Sequence, residues 1–142
     1  MTRQDALAFF AARQRLWQAH DADALAGGHS ATGVVMSPMF GRRSGRDAIR
    51  ESYRSLFTMF PDWAFVATDP IIEGARIALP FSATATHVGE FMGLAGTNRR
   101  FQIQGVRLIE MADGLMQVER RLYDFTGLLI QVGVLRGKPA KD

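Results

Sequence analysis

The stretch GVRLIEMADGLMQVERRLYDFTGLLIQVG, Gly105 to Gly133, decides how this chain is built. It completes one β-rich run, RFQIQGVRLIEM, and holds a second, LMQVERRLY, on either side of Asp113-Gly114, the dipeptide that a two-residue hairpin turn selects. Pairing across that turn sets Met111 opposite Met116, Ile109 opposite Val118, Arg107 opposite Arg120, Gly105 opposite Leu122 and Ile103 opposite Asp124. Met116, Val118 and Leu122 are apolar while Gln117, Glu119 and Arg121 on the alternate parity are polar, so the first set is expected on the inner face. On that register Asp124, the one carboxylate of LYDFTGLLIQVG, points into the protein.

Working outward from the hairpin, WAFVATDPII and RIALPFSATATHVGEF add further strands, divided by EGA and GLAGTN turns. Pro70 and Pro80 are expected at bulges or an edge, where a missing N–H costs least. The N-terminal half reads differently. Ala6, Phe9, Phe10, Arg13, Leu16, Trp17 and His20 recur at helical spacing behind a Thr2–Asp5 capping box, which predicts a helix over about 3–20. Asp21 caps a short second helix through Asp23 to Ala26, GGHSATG reads as a loop, and Val34 to Ser37 as a short strand that Pro38 stops. Ser44 and Asp47 form another capping box, ahead of a helix whose buried stripe is Ile49, Tyr53, Leu56, Phe57 and Phe60. Helices first and a strand meander after them predict an α+β domain: a curved antiparallel sheet with the helices packed on one face. The chain reads as one domain over 1–142, with 136–142, RGKPAKD, a flexible tail.

Composition narrows the function. With 142 residues and 47% hydrophobic content, the chain can bury roughly 70% of the surface its unfolded form exposes. Neither of its long uncharged stretches offers the roughly 18 consecutive apolar residues of a membrane span, and the N-terminus suits an amphipathic helix better than a signal peptide. No membrane partner and a cytoplasmic location are therefore expected. Cysteine is absent, which excludes thiolate chemistry and suits a reducing compartment. The net charge of +3 is spread among acids, as in Arg46-Asp47 and Arg50-Glu51, and not gathered on one face, so no nucleic-acid partner is expected.

Asp124 is the leading candidate for chemistry. A buried carboxylate resists ionisation, which brings its pKa toward the range where one group takes and returns a proton near neutral pH. Two other readings stand beside this one: a structural ion pair with Arg120 or Arg107 on the same face, and a cap on the turn FTGLL. His87 and Glu90 have HxxE spacing, but on a strand they fall on opposite faces, a poor start for a metal site. GGHSATG lacks the lysine of a phosphate loop, and no serine has a nucleophile-elbow setting. Trp17, Phe57, Phe60 and Trp63 read as core, within a cone-shaped sheet able to keep an apolar pocket.

The order of elements and three passages together carry a family likeness: SGRDAIRESYRSLFTMFPDW, HVGEFMGLAGTNRRF and ADGLMQVERRLYDFTGLLIQVG. Over most of residues 5 to 135 the chain resembles the SnoaL-like polyketide cyclases of the nuclear transport factor 2-like superfamily, and the interval from Asp113-Gly114 to Asp124 and on to Gln131-Val132-Gly133 is its most specific part. The resemblance implies a cone-shaped α+β barrel, commonly dimeric or larger. It also implies cofactor-independent and metal-free acid/base chemistry, an intramolecular aldol condensation or related isomerisation, on a small hydrophobic or polyoxygenated carbonyl ligand.

On that comparison Asp124 is the general acid/base, Trp17 lines the pocket, and His87 belongs to the matching HVGE stretch. Arg107 and Gly105 stand where the cyclases carry His and Gln. Arg107 or His87 is expected to steady oxyanion charge, with Arg120 beside the ligand. The alternative is a non-catalytic small-molecule-binding or assembly module of the same fold, in which Arg120 or Arg107 engages Asp124 fully.

Overall fold

In a computed structural model that describes residues 1–140, the chain runs α1 (Arg3–Gln18), α2 (Ala22–Gly27), β1 (His29–Ser37), β2 (Gly41–Ser44), α3 (Arg46–Met59), β3 (Ala64–Ala67), β4 (Ile71–Glu73), β5 (Arg76–Thr86), β6 (Arg100–Ala112), β7 (Leu115–Tyr123) and α4 (Phe125–Gln131). The strands form one curved sheet in the order β2-β1-β7-β6-β5-β3, with β4 on β5. All pairs are antiparallel except β1 with β7, where the first strand enters beside the last in parallel. Residues 136–140 are exposed and irregular, and the rest of the expected tail, Lys141 and Asp142, lies outside the described residues.

The helices form where their sequence asks. Thr2 and Asp5 close the expected capping box at α1, whose buried stripe Ala6, Phe10, Arg13 and Trp17 follows the 3.6-residue period. An arginine on that stripe already signals a polar interior. Helix α3 buries Ile49, Ser52, Tyr53 and Leu56 but starts differently from expectation: Gly45 is its N-cap with no side-chain bond, Ser44 belongs to β2, and Asp47 pairs with Arg50 instead. GGHSATG is also not all loop. His29 opens β1, and Gly33 lies where the β1–β7 pairing shifts register between His29 and Val34; a side chain at Gly33 would crowd the Met116 carbonyl. Pro80 sits where the outer neighbour of β5 changes from β4 to β3, a position that needs no donated N–H.

The β6–β7 hairpin carries the consequential difference. Asp113 and Gly114 both have positive φ, 51° and 75°, as the expected two-residue turn requires. Met111 faces Met116 as expected, but Glu110 then pairs with Val118, so Gln117 is an extra residue bulged out of β7. Beyond it every pairing moves by one: Ile109 faces Glu119, Leu108 Arg120, Arg107 Arg121, and Gly105 Tyr123. A one-residue slip exchanges the faces of the strand. Glu119 and Arg121 are buried, whereas Arg120 and Leu122 are exposed, so beyond the bulge the faces are exchanged, while Met116 ahead of it is inside as expected.

Beyond β7 the chain turns into α4, which closes one end of the sheet with Leu128, Leu129 and Val132 in the main core. Gln131 pins it there: its amide accepts from Gln102 N at 2.9 Å and donates to Gln102 O at 3.1 Å, pairing with β6 as another strand would. Gly133 at φ 86° ends the helix.

Candidate functional site

The interior between α1, α3 and the β5–β6–β7 face is charged. Glu119 Oε2 accepts from Arg121 Nε at 2.7 Å and lies 3.2 Å from Arg107 Nε, with all three side chains buried. Arg121 also donates to the Tyr53 hydroxyl at 3.1 Å, as Arg13 does at 2.9 Å, and Arg13 donates a further bond to Leu25 O. A phenol that accepts from two guanidiniums has its own proton left to give. His29 Nε2 is 2.8 Å from that oxygen and takes it, which makes Nδ1 the protonated nitrogen of the imidazole.

Burial and charge set the protonation states. Burial pushes His29 down to about 3, with Glu119 opposing and the arginines assisting, so the ring is neutral at pH 7. Burial alone would raise Glu119, but Arg107 and Arg121 outweigh it and hold the carboxyl well below the usual range. Arg107 is lowered to about 10 by burial, offset in part by Glu119; burial opposes the charge of Arg121 too, but Glu119 raises it above the ordinary arginine value. All three groups are ionised near neutrality.

On the other side of the arginines lies a cavity of about 30 Å³, walled by Trp17, Trp63, Phe65, Phe81, Ile103 and Tyr123, with Arg107 and Arg121 at its base. Arg107 is packed against ring faces, 4.8 Å from the Trp17 centroid and 4.7 Å from that of Phe65. Ser37 at the end of β1, and Met39 and Phe40 from the β1–β2 connection, line the cavity as well, and Met39 N donates to the Tyr123 hydroxyl at 3.2 Å. Burial raises that phenol to about 12, so it is neutral. The space is smaller than the expected apolar pocket because these side chains fill it, leaving room for about two waters. Gly105 makes the packing feasible, since a side chain there would meet Leu122 O, Tyr123 and Phe81.

The expected site residues therefore separate. Trp17 and Arg107 meet on the cavity wall. Asp124, expected to point inward, is exposed and caps α4, accepting from Gly127 N at 2.8 Å, because the bulge at Gln117 shifts the strand before it. Arg120, expected on the inner face, lines an open groove of about 420 Å³ on the outer face with Leu108 and Ile71. His87 is fully buried between Phe60 and Phe91, its Nδ1 3.0 Å from the Thr97 hydroxyl, and does not line the cavity. Among the described residues, neither Arg107 nor Arg120 forms an ion pair with Asp124.

Glu119, Arg121, Tyr53, His29 and Arg13 form a network the sequence reading did not propose. Its one visible signal is Glu119-x-Arg121, two charges on one strand face opposite Arg107. Among the described residues there is no cluster of three or more His, Cys, Asp or Glu able to hold a metal ion, and no helix long and apolar enough to cross a membrane.

A curved, unclosed sheet with N-terminal helices across it defines the nuclear transport factor 2-like α+β class. Within it, this chain belongs to the SnoaL-like polyketide cyclase family, whose model matches residues 9–132. AclR of Streptomyces galilaeus, a proposed hydroxylase, is 25% identical and superposes with a TM-score of 0.82 over 97% of this chain and 87% of that one. IdmH of Streptomyces antibioticus, a proposed polyketide cyclase, is 21% identical with a TM-score of 0.75 over 92% and 99%. A SnoaL-like protein of Jannaschia sp. is 15% identical with a TM-score of 0.79 over 93% and 94%; at these lower identities the likeness is one of fold. No curated protein shows a significant match in sequence.

Proposed function

We propose that the chain is a cyclase-type enzyme of this family acting without a cofactor on a carbonyl-containing small molecule, in an intramolecular aldol closure or related isomerisation. The observation that carries the reading is Arg107: buried on the wall of an aromatic cavity, it is ion-paired with Glu119 at 3.2 Å but donates no hydrogen bond among the described residues. A guanidinium whose hydrogen-bonding capacity is unspent there favours an oxygen that gains charge as the reaction proceeds. Loss of a proton from the carbon next to the carbonyl leaves an enolate, whose oxygen Arg107 stabilises. The carbanion carbon then bonds to the carbon of a second carbonyl, and the alkoxide so formed takes a proton back.

The acid/base in this reading is Asp124. Asp124 is exposed and stands outside the cavity lining, one residue beyond the cavity-lining Tyr123; its support is that position and its freedom from the arginines, which Glu119 occupies. Glu119 does not suit the part, because two guanidiniums hold it ionised. The test is solvent deuterium uptake beside the carbonyl of an aryl β-keto ester, above the buffer rate. Asp124→Asn is expected to lose about a hundredfold or more; exchange that survives within a few-fold removes the proton role. A second reading, a binding module that does no chemistry, is favoured by the small cavity and by Glu119 being tied up as an ionised partner of Arg107 and Arg121. It predicts that the ester binds with no exchange above buffer.

A further inference from the structure

We propose that the cavity between Trp17, Phe65 and Trp63 is a receptor for a planar oxyanion, so that the ligand binds this protein as an anion and not as a neutral carbonyl compound. This deepens the reading above and rests on it. Arg13, Arg107 and Arg121 are all buried, and the only buried carboxylate among the described residues is Glu119. His29 is neutral, and Tyr123 contributes no negative charge near pH 7. The interior is thus left with two more positive charges than negative ones, an imbalance that buried sites ordinarily avoid by pairing.

The excess is not evenly placed. Arg13 is occupied by Leu25 O and the Tyr53 hydroxyl, and Arg121 by Glu119 and the same hydroxyl. Arg107 shares Glu119 Oε2 with Arg121, at the longer distance, 3.2 against 2.7 Å, and its Nε is left without a hydrogen bond. Its guanidinium carbon lies 4.8 Å from the Trp17 centroid and 4.7 Å from that of Phe65, and those two rings stack on each other at 4.5 Å, so both lie to one side of the guanidinium. A second donor on the same cavity has no partner either: Trp63 Nε1, buried on a residue whose carbonyl is fixed by His20 Nε2 at 2.7 Å.

A guanidinium and an indole N–H in one aromatic chamber match a flat group with two oxygens sharing one charge, a carboxylate or the enolate of a 1,3-dicarbonyl. A neutral ketone or amide would satisfy the donors yet leave the charge. Ser37 and Tyr123, the other polar groups on the wall, bring no charge of their own.

The experiment titrates the unmodified protein at constant ionic strength with acetate and with its neutral isostere acetamide, both small enough for a space of about 30 Å³. The readout is the indole N–H resonances; the chain has two tryptophans, Trp17 and Trp63, and both line the cavity. Acetate is expected to shift the Trp63 signal saturably, at least tenfold more tightly than acetamide, and Arg107→Met to abolish that preference. Equal binding of the two probes, or binding of acetamide alone, overturns the anion inference and leaves the carbonyl reading standing. If neither probe moves Trp63, both fail. The comparison of probes on the unmodified chain holds even if Arg107→Met does not fold.

Discussion

Arg121 Nε donates to Glu119 Oε2 at 2.7 Å from two positions further along the same strand, and Arg107 Nε, from β6, stands 3.2 Å from that same oxygen. One carboxylate oxygen therefore sets the direction of both guanidiniums that form the base of the cavity. Glu119 is a positioning residue in this arrangement, since it is absent from the cavity wall. Glu119→Gln keeps the shape and removes the charge, leaving the two guanidiniums facing each other without relief. Breaking a buried pair in this way is expected to cost about 3–5 kcal/mol, read as a lower urea midpoint at unchanged slope.

The bulge at Gln117 turns Glu119 and Arg121 inward, so the charged interior depends on one inserted residue. Deleting Gln117 would restore straight alternation, carry Val118, Arg120 and Leu122 to the inner face and expel the network. The expected outcome is loss of cooperative unfolding by circular dichroism. Gln117→Ala keeps the extra residue and loses only the bonds to Thr32 at 3.3 Å, so it should shift stability by about 1 kcal/mol or less. Equal damage from the two changes would dissociate the bulge from the face exchange.

What the sequence disclosed follows from where its signals were local. The Asp113-Gly114 turn, the Thr2–Asp5 box and the α1 stripe are each specified by neighbouring residues, and each formed as read. The face of β7 was not local. Reading Val118 and Leu122 as inward assumed that an inner face is apolar, yet here two arginines share Glu119 and lie against aromatic rings, while Leu122 and Leu108 face outward. A bulge leaves no mark in the composition of the strand that carries it. Trp17 and Arg107 were legible because one lies on the periodic stripe and the other precedes the bulge when counted from the β5 pairing; Arg121 and Glu119 lie beyond it.

The buried network also makes the fold acid-sensitive in a defined window. His29 has its pKa lowered from 6.5 to about 3, so the unfolded chain takes up a proton that the folded chain refuses as pH falls below 6.5. Stability is then complete above about 6.5 and falls toward about 3, at up to about 1.4 kcal/mol per pH unit. Glu119, also lowered, adds the same sign below its unfolded value of 4.5. Urea denaturation at pH 7.5, 5.5 and 4 should show the decline, and His29→Gln should flatten the part between 6.5 and 4.5 while leaving the part below it.

Asp124 has a structural duty that any catalytic experiment must separate. Its carboxylate accepts from Gly127 N at 2.8 Å, the N-cap bond of α4. Asp124→Ala is expected to cost about 1 kcal/mol, whereas Asn can make the same bond and should cost far less. A drop in deuterium exchange in Asp124→Asn at unchanged thermal midpoint would then report chemistry and not a frayed helix. If Asn destabilises as much as Ala, the cap bond depends on charge, and exchange must be compared at equal folded fraction.

The segment between β1 and β2 forms part of the cavity wall. Met39 and Phe40 line it, Met39 N donates to the Tyr123 hydroxyl at 3.2 Å, and Phe40 N donates to Ser37 Oγ at 3.1 Å. The first of these bonds ties the segment to β7, while the second is internal to the turn. Tyr123→Phe keeps the ring against Phe81 and Phe125 and removes only the acceptor for Met39. The loss of one hydrogen bond, about 0.5–1.5 kcal/mol, should raise the Met39 amide exchange rate by about two- to tenfold. Phe40 should change less, its bond to Ser37 being intact. Faster exchange at Met39 with a faster on-rate for acetate would identify the Tyr123 contact as the latch on the cavity; unchanged exchange at Met39 would mean that ring packing alone holds the segment down.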